Sequence, residues 1–330
     1  MKTLAFFNNQ GGIGKTALVY HLAWMYADRG VPVLAVDLDP QANLTSMFLD
    51  DVRLEQIWPD DDHPLTVHGA VQPILRGLGD IADPHVERIS EHLGLIPGDL
   101  GLSRFEDKLS EAWLRCHDQD EAAFRTMTAF HRLMQRAAGA ETGLVLIDVG
   151  PNLGAINRSA LIASDLVCLP LAPDLCSLQG LKNLGPTLRE WRESWSEMRP
   201  KAPSELSMPS GEMNPIGYIV MQHGVRDSRP VKAYQHWMDR IPGVYRSVVL
   251  DQPADNLPAV ANDPHCLSLL KHYRSLMPMA MEARKPMFTL KPADGAIGAH
   301  VEAVRSCYGD FFRLAQALAG RAGIDLPLVP

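Results

Sequence analysis

The sequence lacks any run of roughly 18 apolar residues, and the apolar Leu4-Ala5-Phe6-Phe7 after Lys2 is too short for the roughly 7–15-residue core of a signal peptide, so neither a membrane-spanning helix nor a cleaved export signal is expected. Cysteine is scarce: Cys116, Cys168, Cys176, Cys266 and Cys307 are scattered, odd in number and without a C-x-x-C pair. That excludes a disulfide framework, weighs against structural zinc or iron–sulfur chemistry, and fits reduced thiols in the cytosol. The 12 histidines never fall at H-x-x-x-H or H-E-x-x-H spacing, so no zinc-hydrolase motif is present. Positive charge is in deficit, with 31 Lys and Arg against 39 Asp and Glu, which argues against attraction of the whole molecule to nucleic acid or anionic lipid. Only a local basic patch would bind either. There is no internal repeat and no low-complexity tract.

What remains is an ordinary globular composition, 46% hydrophobic and 21% charged, over 330 residues. Short runs apolar on both faces recur at 4–8, 31–39, 93–97, 144–149, 166–171, 216–221 and 244–250, separated by stretches of helical character. This spacing predicts buried parallel strands with helical crossovers, hence an α/β doubly wound, mostly parallel sheet with helices on both faces. We expect a single domain over 1–330, with a variable insertion at about 50–142 and a Pro/Ser-rich loop at about 200–215. The acidic stretch 50–62 reads as a solvated loop, and the tail 310–324 as a helix docked on the core. In such sheets ligands sit beyond the carboxyl ends of the strands.

Directly after the first run comes Asn8-Asn9-Gln10-Gly11-Gly12-Ile13-Gly14-Lys15-Thr16, followed by helical periodicity. A polyphosphate needs inward backbone N–H groups, the positive end of a helix, an ammonium group and a hydroxyl for Mg²⁺. Gly11, Gly12, Gly14, Lys15 and Thr16 supply them. The first glycine of the general G-x-x-x-x-G-K-[ST] pattern is replaced by Asn9.

The double glycine before x-G-K-T resembles the deviant Walker A loop, K-G-G-x-x-K-[ST], of the ParA/MinD/Soj ATPases. Val36-Asp37-Leu38-Asp39-Pro40-Gln41-Ala42-Asn43 resembles that family's D-x-D-P-Q-x-N segment, and Leu146-Ile147-Asp148-Val149-Gly150-Pro151 its Walker B and switch region. Fainter echoes at 95–100, 169–181 and 285–296 extend the likeness over most of the chain, closest to the ParA branch. The resemblance implies ATP and Mg²⁺ as cofactors. It implies Lys15 and Asp39 as catalytic residues, Asp39 holding the attacking water. It further implies a phosphate cradle from Gln10, Gly11, Gly12, Ile13, Gly14, Lys15, Thr16 and Ala17, and a metal site from Thr16, Asp37 and Asp148. Adenine would lie near Met221 and Gln222.

One position departs. The family's signature lysine, which reaches a partner's phosphates across a nucleotide-sandwich dimer, is Gln10 here; an amide can hydrogen-bond phosphate but not neutralise it. Arg158, early in the helix after Asp148, is the candidate substitute in trans.

The resemblance also implies an ATP-dependent homodimer that binds DNA nonspecifically, answers to an activating partner protein, and works in the cytoplasm, with nucleoid association following from any DNA binding. The stretch 265–291, with Lys271, Arg274, Arg284 and Lys285, is the candidate DNA contact against the acidic background. No membrane partner is expected, since the tail carries only two arginines and no basic amphipathic face. No N-terminal helix-turn-helix is expected, because the first strand starts at residue 3. Amidoligase relatives lack the D-P-Q-x-N segment. A nucleotide-bound scaffold with little turnover is the alternative to a partitioning switch.

Overall fold

In a computed structural model, described for residues 1–223, 225–226, 229–230, 232–273 and 275–327, the first strand β1 (Lys2–Phe6) is followed by the glycine loop and α1 (Lys15–Asp28). The chain then forms β2 (Val33–Asp37), α2 (Asn43–Phe48), α3 (Asp51–Ile57), α4 (Val67–Leu75), and the strands β3 (Glu87–Ser90) and β4 (Leu93–Ile96). Three helices follow, α5 (Phe105–Cys116), α6 (Glu121–Met127) and α7 (Ala129–Ala137), then β5 (Leu144–Asp148), α8 (Ala155–Ile162), β6 (Leu166–Leu171) and α9 (Leu175–Met198). The last third holds β7 (Asn214–His223), a short hairpin of β8 (Val225–Arg226) and β9 (Arg229–Pro230), α10 (Lys232–Met238), α11 (Ile241–Val244), β10 (Cys266–Lys271), α12 (Leu276–Ala283) and α13 (Ala299–Ala322).

The main sheet has eight strands in the order β10-β7-β6-β1-β5-β2-β4-β3, all parallel except the β3–β4 pair. Alternate residues of each strand serve opposite faces. Ala5, Val36, Val145, Ile147 and Leu169 pack with Phe105, Phe124, Phe130, Leu181 and Trp195 on one side. Leu4, Phe6, Ala35, Leu146 and Cys168 pack with Leu18, Tyr26, Phe311 and Leu318 on the other. The tail thus docks on the core through α13. With both faces covered, strand residues read as continuous apolar runs, which is why most were visible in the sequence.

One run misled. The stretch 244–250, expected as a strand, is helical: α11 continues into a π-helical turn over Tyr245–Val249. Ile241, Tyr245 and Val249 are all buried, and their four-residue spacing is that of a helix face, packed here against α9. The edge strand β10 occupies part of the stretch read only as basic. Residues 50–142 contribute β3 and β4 to the main sheet and five of the helices covering it, so they are built into the fold. Within the Pro/Ser-rich connection Leu206 and Met213 are buried, and Trp195 Nε1 donates to the Pro209 carbonyl at 3.2 Å.

Candidate functional site

β1 is flanked by β5 and β6, so the loop leaving its carboxyl end opens at the middle of the sheet. Gly12 (φ 75°) and Gly14 (φ 91°) take left-handed backbone that a side chain would strain. These two turns aim the start of α1 back across the strand ends. No side chain among the described residues caps that helix, leaving its first N–H groups and positive dipole end facing a cleft of about 610 Å³. Gly11, Gly12, Gly14, Lys15, Thr16 and Ala17 line the cleft, while Ile13 is buried behind it. The Lys15 ammonium donates to the Gln10 carbonyl at 3.1 Å. Burial lowers its pKa, against the opposing charges of Asp148 and Asp39.

The register of β2 and β5 pairs Asp37 directly with Asp148, two buried carboxylates side by side at the strand ends. Burial pushes the Asp37 carboxyl above the usual carboxylate range, although its Oδ2 accepts from the Thr45 amide at 2.8 Å and hydroxyl at 2.7 Å. Asp148 is raised well above the carboxylate range by burial first and the Asp37 charge second. The Thr16 hydroxyl stands near it without completing a hydrogen bond of normal geometry. Asp37 Oδ1 and both oxygens of Asp148 therefore have no hydrogen-bond partner among the described residues. Orphaned carboxyl oxygens beside a hydroxyl and an uncapped helix N-terminus fit a hydrated Mg²⁺ carried in with a polyphosphate, whose charge would favour their ionised form. No cluster of three or more His, Cys, Asp or Glu among the described residues would hold an ion alone, and magnesium commonly keeps its waters and takes one or two carboxylates plus substrate phosphates. Asp39 lines the cleft itself, its Oδ1 accepting from the Gln41 amide at 3.0 Å.

Gln10 turns away from the cleft, into bonds with Asp174 and Ser177 at the start of α9. Met221, at the end of β7, borders a second cavity of about 160 Å³, walled by Gly14, Ala17 and His21 and by Leu270, Lys271 and Tyr273. The side chain of Gln222 and the whole of Arg274 lie outside the described residues.

Two groups of candidate residues have partners within the chain. Arg158 does not line the cleft: its guanidinium carbon lies 4.4 Å from the Trp113 ring centre and 5.9 Å from that of Trp191. The arginine is committed to packing between α5 and α9, where burial lowers its pKa to about 10. The basic stretch is not a face of unpaired charge either. Lys271 lies 3.5 Å from Asp310, Arg284 2.7 Å from Asp51 and Lys285 2.7 Å from Asp294, and Arg284 and Lys285 line the nucleotide-sized cleft.

Sequence reasoning passed over Thr45, whose hydroxyl joins Asp37 to the Gly98 amide, and Glu106, which caps α8. Thr45 follows the D-P-Q-x-N segment by two residues, a signal that was there to use. Glu106, 49 residues from its partner Ala155, left no local trace.

Residues 1–199 match the AAA_31 family model, described as an AAA domain. The probable plasmid-partitioning protein ParA of Thermus thermophilus is 29% identical over 203 residues, covering 61% of this chain and 54% of that protein. The chromosome partitioning protein ParA of Caulobacter vibrioides is 30% identical over 194 residues, 59% and 64% of the two chains. The chain thus spans between half and two thirds of the length of these two relatives. Among solved structures, protein DIP2308 of Corynebacterium diphtheriae superposes with a TM-score of 0.71 at 23% identity, over 97% of this chain and 98% of the other. The ATP complex of a point variant of Cyanothece McdA superposes with a TM-score of 0.65 at 16% identity, over 100% and 99%. At these identities the likeness is one of fold.

Proposed function

The chain belongs to the ParA/MinD family of P-loop ATPases, and from that premise we propose that it is a positioning ATPase whose nucleotide state switches its assembly. One observation carries the reading: an uncapped helix N-terminus and the Lys15 ammonium stand at a cleft large enough for a nucleotide, and the Lys15 charge meets that of Asp148, one of two buried carboxylates with orphaned oxygens. That arrangement suits a polyphosphate bound together with a cation.

In this reading the amides of Gly11 to Ala17 hold the phosphates and Lys15 offsets their charge. Thr16 offers its hydroxyl to the metal, with Asp37 and Asp148 acting through bound water. When bound, the magnesium ion neutralises charge on the phosphates. Asp39, on the cleft wall with one oxygen held by Gln41, orients the attacking water. Adenine lies in the smaller cavity beside Met221. Arg284 and Lys285, on the cleft wall, serve the nucleotide and not DNA.

The output we propose is an ATP-dependent homodimer that binds DNA nonspecifically and hydrolyses slowly until a partner protein stimulates it. The partition proteins among its relatives support this class of output. Among the described residues no helix is long and apolar enough to cross a membrane. A scaffold with little turnover is the second reading, favoured by Gln10 being bound within its own chain.

The test is the light-scattering mass of Asp39→Ala protein with Mg-ATP and with Mg-ADP, each with and without a short random duplex at fixed salt. A dimer that forms and takes up DNA only with ATP is the expected result. A monomer off DNA in both states sinks the switch and leaves the scaffold.

A further inference from the structure

α8 begins on Gly154, which offers no side chain to cap it, and its first turn is the continuation of the loop that leaves Asp148. The missing cap comes from another helix. Glu106, in the first turn of α5, accepts from the Ala155 amide through Oε1 and from the Ile156 amide through Oε2, the latter at 2.9 Å. The approach is close enough that a Cβ at Gly154 would stand 2.6 Å from Glu106 Oε1, so a side chain there would push the carboxylate from its present position. Within the same loop Asn157 Nδ2 donates to the carbonyls of Gly150 at 2.8 Å and Asn152 at 2.7 Å. Gly150 in turn lies against the water-orienting carboxylate: a Cβ there would be 3.3 Å from Asp39 Oδ1. The loop 149–154 is therefore fixed at one end by the pairing of Asp148 with Asp37 and at the other by Glu106.

We propose that Glu106 is a positioning residue for hydrolysis. By capping α8 from α5 it holds the loop so that the Gly150 backbone packs on Asp39, and it makes α5 a lever on turnover. A carboxylate spanning two N–H groups at a helix start suits this task, since the charge meets the helix dipole and the bond geometry is bidentate. Glu106 itself does not line the cleft, and of the loop it holds Pro151 alone reaches the cleft wall, so its loss should fall on turnover more than on nucleotide affinity.

The inference rests on the ATPase reading. The test compares Glu106→Ala, Glu106→Gln and Gly154→Ala with the wild type in two measurements: steady-state ATP turnover alongside the ATP dissociation constant, and amide hydrogen exchange of the segment 150–153, which Glu106 does not bond. Expected are a fall in kcat of about tenfold in Glu106→Ala and Gly154→Ala with the dissociation constant within about twofold, a smaller fall in Glu106→Gln, and exchange of 150–153 faster by about tenfold. An unchanged kcat in a folded Glu106→Ala protein overturns the proposal, as does a joint loss of kcat and affinity in Glu106→Gln. If the wild type hydrolyses no ATP, the ATPase reading fails by itself, and the exchange arm still decides: unaltered exchange at 150–153 rejects the positioning role.

Discussion

Gln10 and Ser177 are joined side chain to side chain, the Ser177 hydroxyl donating to Gln10 Oε1 at 2.6 Å. The other end of the amide donates to Asp174 Oδ2 at 3.3 Å, while Asp174 Oδ1 caps α9 by accepting from the Ser177 amide at 2.8 Å. The residue in the signature-lysine position is thereby bound inside its own chain, its amide oxygen meeting a hydroxyl donor and its amide nitrogen a carboxylate acceptor.

Gln10→Lys replaces this neutral clasp by a cation at the mouth of the phosphate loop. Charge-assisted bonds are about twice as strong as neutral ones, so ATP-dependent self-association should tighten by about tenfold. Light-scattering mass across a protein dilution series, in the Asp39→Ala background with Mg-ATP, reads this directly. No change in the midpoint means that the position does not meet a partner's phosphates.

Arg284 sits at the end of α12 in left-handed backbone, φ 49°, where glycine would be unstrained. Its guanidinium donates to the Leu49 carbonyl, which follows α2, and pairs with Asp51, an exposed partner that adds little. Arg284→Gln keeps the strain and loses the carbonyl bond, so stability should fall by about 1 kcal/mol. Arg284→Gly loses the same bond and relieves about 1 kcal/mol of strain, leaving stability near the wild type. Urea denaturation of the pair separates the two contributions, and equal midpoints would contradict the account.

The parts legible in the sequence were those whose chemistry works through near neighbours. Gly12, Gly14 and Lys15 announce a phosphate loop because the turn, the helix start and the ammonium lie within a few residues. Asp37 and Asp148 were recognisable singly, but their adjacency comes from the β2–β5 register, which only the sheet order reveals. The run 244–250 was ambiguous because five or six apolar residues suit either a buried strand or one face of a short helix; packing against α9 decided it. Charge was the least legible property. Lys271, Arg284 and Lys285 read as a cationic stretch, yet their partners Asp310, Asp51 and Asp294 come from other segments.

Arg158 carries the same lesson into an experiment. Held over Trp113 with a buried Nε that has no partner among the described residues, its guanidinium is engaged by the aromatic rings of its own chain. Arg158→Ala should lower stability by about 2 kcal/mol, the scale of a desolvated cation–π contact with its lost packing. ATP affinity and ATP-dependent mass should stay as in the wild type. A loss of ATP-dependent dimer at unchanged stability would restore the arginine to the phosphate site.

His21 gives the stability a defined pH dependence. The ring is fully buried on α1, Nδ1 facing the Ala17 carbonyl at 2.6 Å and Nε2 accepting from the Met287 amide at 3.0 Å, so the neutral Nδ1–H tautomer fits and the imidazolium does not. Stacking on Phe311, with ring centres 4.9 Å apart, closes the site further. Burial lowers its pKa from 6.5 to about 4. The unfolded chain therefore binds the proton first: the His21 contribution is intact above pH 6.5 and is lost as pH falls from there towards 4, by up to about 3 kcal/mol. His131, also lowered to about 4 by burial, adds a slope of the same sign, so the comparison must be between proteins. His21→Asn should be less stable than the wild type at pH 8 and show a shallower fall between pH 6.5 and 4 in chemical denaturation. Parallel curves for the two proteins would mean that His21 is protonated in the fold and that its bond to Met287 is misassigned.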